Sequence, residues 1–313
     1  MKTPSPGAVD DDQRRQIPAL GELYLDHVAH FVPDIEAARV ALERLGFAPT
    51  PFSEQRHRAL PEAPLESAGA GNCCVMLRRG YLEFLTAIGS TPIAERLRMA
   101  MSRHVGVHLV CFGTADPSVE TARLAARGFA PLPPVALERR VATADGEGLA
   151  RFTVIRVSPE AMPEGRIQFV RHHTPDLVWQ RRWLDHPNRV SGLAAAILCV
   201  ADPAAAAARY ARFSGLAEAP AGRARKIETA RGALLFADRA TIAQLLGVTP
   251  PPPPCVAGYG LESDDPPATR AVFARAEVAP RRLDLNAFAV TLPPALGGAA
   301  IIAAGGKPIA DLF

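Results

Sequence analysis

The sequence predicts an α+β protein made of four tandem βαβββ modules, paired into two domains. Three observations predict it. Leu25 to Phe47 (LDHVAHFVPDIEAARVALERLGF) reads as a complete strand, cap, helix and glycine stop. The same plan restarts near residues 105, 193 and 259. The chain of 313 residues is also too long for one ordinary core and suits two domains of about 150 residues each.

In the first unit, Leu25 to Val32 carries the apolar residues of a half-buried strand. Pro33-Asp34 ends it, because proline removes a ladder donor and aspartate caps the helix behind it. Ile35, Ala38, Val40, Ala41, Leu42 and Leu45 then form a helical stripe that Gly46 terminates. A polar stretch to Gly71 leaves room for a strand and a mobile loop around His57. Asn72 to Leu77 and Tyr81 to Thr86 read as strands joined by a turn at Arg78-Arg79-Gly80, and a helix comes next over Ile93 to Met101. The second unit has a strand from Val105, a cap at Thr114 to Pro117, a helix over Val119 to Ala126, and strands at Arg151 to Val157 and Arg166 to Val170. The third starts at Leu193 to Val200, with Asp202-Pro203 and an alanine-rich helix behind it. The fourth starts at Tyr259, with a cap at Asp264 to Pro266, a helix through Phe273, and strands over Leu283 to Val290 and Ala299 to Ala303. The helix ends at Gly46, Gly128, Gly215 and about Glu277 are 82, 87 and about 62 residues apart, a period that fits one five-element module and not a solenoid. We therefore expect a flexible tail over residues 1–20, a first domain over 21–186 and a second over 187–313, with Pro250 to Pro254 as a stiff link between the last two modules.

The formal charge of +3 is small for this length, and no basic run has interleaved aromatics, so nucleic acid is not an expected partner. No stretch offers the roughly 18 apolar residues of a membrane span, and the polar start lacks the apolar segment of a secretory signal. The five cysteines, Cys73, Cys74, Cys111, Cys199 and Cys255, form no CxxC pair and read as reduced, buried thiols of a cytoplasmic protein. Adjacent strand residues point to opposite faces, so Cys73-Cys74 is not read as a redox pair.

Repeated βαβββ units, opening with an apolar strand that bears a histidine and then V-x-D-x-x-A-A and L-G-F, resemble the vicinal oxygen chelate superfamily of glyoxalases, bleomycin-resistance proteins and extradiol dioxygenases. Arg171 to Pro175 and His186-Pro187-Asn188 are similar to stretches of bacterial glyoxalase-like proteins. The resemblance implies that two modules wrap around a divalent metal ion (Fe, Ni, Zn, Mn or Co). Its metal positions fall on His27, Glu83, His108 and Gln168. His27 lies seven residues before Asp34. His108 lies eight before Asp116, which implies a larger turn at Gly113-Thr114. Gln168 stands where many relatives have glutamate, so the catalytic base would have to be Glu83, because an amide cannot accept a proton at neutral pH.

The physical requirement stands beside the resemblance. An ion that binds substrate oxygens needs neutral imidazoles and a carboxylate converging from different strands, with positions left open. Alternation puts Leu25, His27 and Ala29 on one face, as it does Gly106, His108 and Val110, and Arg166, Gln168 and Val170. His172 shares the parity of Gln168 but lies about 13 Å further along a straight strand, which excludes it as a further ligand there. His30 is expected under the helix, and His57, His104, His172 and His173 at the surface or behind the ligands. Trp179 and Trp183 are spaced as one stripe of a helix.

The segment from Pro187 to Phe313 has no histidine and reads as a degenerate copy that supports the first domain, closes its cleft or makes a homodimer contact. The expected function is a glyoxalase-like metalloenzyme acting on a small, oxygen-chelating molecule by lyase or isomerase chemistry. The alternatives are an extradiol dioxygenase using two histidines and Glu83, or a metal-free protein that sequesters an apolar ligand on Phe31, Phe84, Trp179 and Trp183.

Overall fold

The computed structural model describes residues 16–57, 64 and 66–313, so most of the expected tail and the loop after His57 lie outside the described residues. The first module runs β1 (Leu23–Phe31), α1 (Ile35–Arg44), β2 (Ser53–His57), β3 (Glu66–Met76) and β4 (Tyr81–Ala87), with helix α2 (Pro92–Arg103) after it. The second runs β5 (Gly106–Thr114), α3 (Pro117–Ala126), β6 (Val135–Thr143), β7 (Gly146–Arg156) and β8 (Arg166–His172). After the short helix α4 (Pro175–Val178), the third runs β9 (Val190–Cys199), α5 (Pro203–Ser214), β10 (Glu218–Ala221), β11 (Ala224–Glu228) and β12 (Ala233–Ala237). Helix α6 (Arg239–Leu246) leads to the fourth, β13 (Cys255–Ser263), α7 (Pro266–Arg275), β14 (Arg281–Arg282), β15 (Ala287–Thr291) and β16 (Ala299–Ala304).

Each module helix starts as its sequence implies. Asp34, Asp116, Asp202 and Asp265 each accept hydrogen bonds from backbone amides of the first helical turn, which satisfies donors that have no partner within the helix.

The first eight strands close into a barrel in the order β1-β4-β3-β2-β6-β7-β8-β5. The second eight form a sheet in the order β10-β11-β12-β9-β13-β16-β15-β14. In both, the two module-opening strands pair antiparallel with each other. Those pairings carry bulges at matching places. Register shifts leave Asp26 of β1 and His108 of β5 without a direct partner, and likewise Ala194 of β9 and Ala257 of β13. Each of these four residues lies eight positions before its capping aspartate.

A core shared by both halves lies between the sheets. It joins Leu25, Val28, Phe84, Val110 and Phe112 of the barrel's outer face to Leu193, Leu198, Tyr259 and Phe273, with the module helices packed around it. The connection at Asp185 to Asn188 is pinned to the first module: Asn188 Nδ2 donates to the Leu45 carbonyl at 2.8 Å, and His186 Nε2 lies 2.8 Å from the Met76 carbonyl.

Four local expectations change. Helix α6 lies between modules three and four, where only the proline run was expected, and its Ile242, Leu245 and Leu246 pack into the inner face of the second sheet. The strand expected over Leu283 to Val290 forms only from Ala287, as β15, and Leu283 to Asn286 make the turn that joins it to β14. Trp179 and Trp183 do not share a helix, because α4 ends at Val178 and Trp183 sits in a separate 3-10 turn. His30 sits at the junction of the halves, stacked on Phe84 at 4.7 Å and bonded to Leu296 and Tyr259 of the second half. None of the helices among the described residues is long and apolar enough to cross a membrane.

Candidate functional site

The barrel interior holds the candidate site, and the bulge at Asp26 sets its geometry. With Asp26 inserted, Leu25 turns outward into the core between the sheets, whereas Ala29 lies in the interior cluster with Leu109, Cys111 and Val170. The expected sharing of one face by Leu25, His27 and Ala29 fails for this reason, since one extra residue reverses the alternation. Gly80 permits the close approach at the bulge. It has φ of 74°, and a Cβ there would lie 2.7 Å from the Asp26 carbonyl oxygen.

Asp26 is fully buried. Its Oδ1 lies 2.6 Å from His27 Nδ1, and both of its oxygens lie 3.2 Å from His172 Nε2. Burial alone would raise this carboxyl, but His172 and His27 outweigh it and hold the group well below the ordinary carboxylate range. The carboxylate accepts, so His27 donates through Nδ1, and Nε2 is the ring atom directed into the cavity. That nitrogen faces Glu83 Oε2 at 3.8 Å. A carboxylate behind a histidine in this way fixes the tautomer and ring orientation that a metal ligand needs.

Glu83 is held from the other side. Its Oε1 accepts from Gln55 Nε2 at 3.1 Å and from Asn72 Nδ2, and Asn72 Oδ1 in turn accepts from Arg139 Nη1 at 3.1 Å. Tyr81 stacks on the His27 ring at 4.3 Å, and burial raises its phenol well above the usual value, so it stays protonated. These groups and Gln168 line a cavity of about 60 Å³, which is room for a few waters or a small group of atoms.

The structure therefore brings His27, Glu83 and Gln168 to one cavity and leaves His108 apart. The extra residue before Asp116 is not taken up by a larger turn at Gly113-Thr114. It is the bulge at His108, the counterpart of Asp26 and not of His27. His108 Nε2 meets the His104 carbonyl at 2.8 Å, its ring lies between His104 and Phe31, and burial, then the neighbouring His104, lower it to about 4. Opposite His27, and level with Gln168, stands Cys111. Donor atoms of Asp26, His27 and Cys111 lie within 4.8 Å of one another. Burial keeps the Cys111 thiol protonated, and Gln168 Nε2 points to its sulfur at 3.8 Å.

Asp26, Cys111 and His172 were not among the residues expected to meet here. His172 is buried beside Trp179 at 4.6 Å, and Trp179 also packs edge-on to Tyr81 at 5.8 Å. The signal for Asp26 was an acid inside an apolar strand, which needs a partner when buried.

A divalent ion fits this donor set on the chain's own geometry. His27 presents Nε2, Glu83 Oε2 is 3.8 Å away, about the spacing of two ligands on one ion, and cavity space adjoins both.

Paired βαβββ modules with buried polar groups inside the first barrel define a protein of the vicinal oxygen chelate type. A family model described as "Glyoxalase-like domain" matches residues 25–214, most of the chain, and the protein belongs to that family. Comparison with curated protein sequences gives no match. Among solved structures, a hypothetical protein from Staphylococcus aureus aligns with TM-score 0.64 at 9% identity, covering 90% of this chain and 99% of that one. A xylose isomerase-like TIM barrel/4-hydroxyphenylpyruvate dioxygenase fusion protein aligns with TM-score 0.50 at 13% identity, covering 97% of this chain and 52% of that one. A mutant of 4-hydroxymandelate synthase from Streptomyces coelicolor aligns with TM-score 0.48 at 15% identity, covering 93% and 98%.

Proposed function

We propose that the first domain is a metal-dependent enzyme acting on a small oxygen-bearing molecule by lyase or isomerase chemistry. The observation that carries this is the His27 Nε2 and Glu83 Oε2 pair at 3.8 Å, with Asp26 fixed behind His27. His27 and Glu83 would hold the ion, with Gln168 beside them. A divalent ion there supplies a Lewis acid that polarises a substrate oxygen.

The chain's own groups divide the remaining work. Gln55 and Asn72 restrain Glu83 through Oε1, so Oε2 is the oxygen left to take a proton from bound substrate. Gln168 can orient substrate but not accept a proton. Tyr81, kept protonated by burial, packs against His27 and helps to exclude water from it. The dioxygenase reading requires a second histidine beside Glu83, and His108 is directed at His104 instead.

Elemental analysis of the purified protein tests this reading. Stoichiometric metal is expected in the parent, with loss in His27→Ala and in Glu83→Ala; iron would favour oxygen-dependent ring cleavage, and nickel, zinc, manganese or cobalt the lyase reading. A parent that binds no ion after divalent metals are added would refute the proposal and leave a binding protein.

A further inference from the structure

Beyond Gln168, toward α2, the barrel interior becomes strongly positive. Register pairs Arg156 of β7 with Gln168 of β8, and Arg166 lies two residues before Gln168 on the same face. Arg156 likewise shares the face of Val154, a residue of the interior cluster. Arg96, exposed on α2, is near enough that its charge disfavours the cationic forms of Arg156 and Arg166.

What distinguishes these three arginines is what they lack. Arg139, Arg209 and Arg123 are each bonded to an amide or a carboxylate. Among the described residues, the side chains of Arg96, Arg156 and Arg166 form no ion pair with a carboxylate, although the charge of Glu83 reaches Arg166, and Arg156 Nε is buried without a hydrogen-bond partner. Arg166 is half-buried, with its guanidinium 5.9 Å over the ring of Phe31. Burial, then the charge of Arg156, lower Arg166 to about 10, with Glu83 opposing and Arg96 adding to the shift, so it remains a cation at neutral pH. Like charges gathered at a partly desolvated place are unfavourable unless an anion joins them. Arg96 is exposed, which leaves the group open to solvent on one side.

We propose that Arg96, Arg156 and Arg166 form a subsite for the oxyanion of a small organic acid, adjoining the His27 and Glu83 end of the barrel. Planar guanidinium groups match carboxylate and phosphate oxygens in paired hydrogen bonds. Two residues of strand separate Gln168 from Arg166, so the anionic group lies about 6 to 7 Å from the atoms that reach Gln168. The substrate class is therefore a carboxylate or phosphate ester of a few carbons with a second oxygen function at its other end. Its placement as a substrate rests on the enzymatic reading above; the anion site itself does not.

Binding is measured on the full chain by calorimetry and thermal melting in low-salt, anion-poor buffer, with succinate, benzoate and inorganic phosphate as probes and benzamide as the neutral control. At least one anion is expected to bind and raise the melting temperature, whereas benzamide does neither; the preference between carboxylates and phosphate identifies the oxyanion. Arg156→Gln and Arg166→Gln should each weaken binding about tenfold, and the double variant should abolish it, while Arg275→Gln, a surface control on α7, changes nothing. Without anion, the two site variants should melt at or above the parent temperature, because each removes a repelled charge. Arginines with a purely structural role would instead lower it. Anion binding that persists unchanged in the double variant, or a parent that none of the anions stabilises, would overturn the proposal. His27→Ala should still bind the anion, so failure of the metal reading and failure of the anion subsite give different results.

Discussion

Acid should loosen the junction between the two halves through His30. This ring is fully buried. Its Nδ1 lies 2.8 Å from the Leu296 carbonyl, and its Nε2 lies 3.1 Å from the Tyr259 hydroxyl. The carbonyl requires a proton on Nδ1, and Tyr259 can donate to Nε2, so the neutral ring is fully satisfied. Burial, only partly opposed by the Leu296 carbonyl, lowers His30 from 6.5 to about 4, and His104 lowers it further. Above pH 6.5 both the folded and the unfolded chain carry a neutral ring, and its contribution to stability is complete. Between pH 6.5 and about 4 only the unfolded chain takes up the proton, so stability is lost as pH falls. A gap of this size corresponds to about 3 kcal/mol. His30→Phe keeps the stacking on Phe84 and removes the titration, but leaves the Leu296 carbonyl and Tyr259 hydroxyl unpaired, at a cost of about 2 to 3 kcal/mol at pH 7.5. Urea unfolding of both proteins at intervals from pH 7.5 to 4 checks this. His104 and His108 titrate in both and largely cancel. The parent should be the more stable at pH 7.5, and the two curves should converge toward pH 4. A gap of constant size across that range would refute the assignment of a neutral, interface-locking His30.

The site and the bulge each give a further expected outcome. His108→Phe should keep the stacking between His104 and Phe31 and leave metal content at the parent level, in contrast to His27→Ala; loss of metal on elemental analysis would restore His108 to the ligand set. Gly80→Ala should destabilise the protein by more than about 1 kcal/mol in urea unfolding, because alanine is strained at φ of 74° and its Cβ would meet the Asp26 carbonyl oxygen; an unchanged midpoint would show that the bulge relaxes freely.

The strand, cap and helix of each module were legible because local chemistry sets them: a capping aspartate, a helical apolar stripe and, after three of the helices, a glycine stop. Strand parity was not legible, because a bulge is a property of two paired strands and one sequence shows only one of them. The chain nevertheless held the correction. Asp26 and His108 are both eight residues before their caps, whereas His27 is seven, so the repeat aligns His108 with Asp26 and places Leu109 opposite the role of His27. His172 lies behind the ligands, one of the two places expected of it. Measuring along β8 rightly separates it from Gln168, but barrel closure carries β8 alongside β5, and β5 alongside β1, so that His172 meets Asp26 on the far side of the His27 ring.

The same offsets explain why the second half has no comparable site. Its counterparts of Asp26 and His27 are Ala194 and Ala195. Alanines and isoleucines dominate the inner face there, including Ala195, Ile197, Ala257 and Ile301, and small side chains leave the volume that α6 fills with Ile242, Leu245 and Leu246. A buried carboxylate would be unpaired against those residues, so restoring aspartate and histidine at 194 and 195 would not by itself rebuild a centre. In the first barrel α2 fills one end, with Leu97 in the cluster of Ala29, Cys111 and Val170, and the rest of the interior is occupied by groups that satisfy one another, from Asp26 through His27 and Glu83 to Asn72 and Arg139. The isolated residue at each expected metal position was thus a weaker guide than the polar chain around it, which lines the cavity.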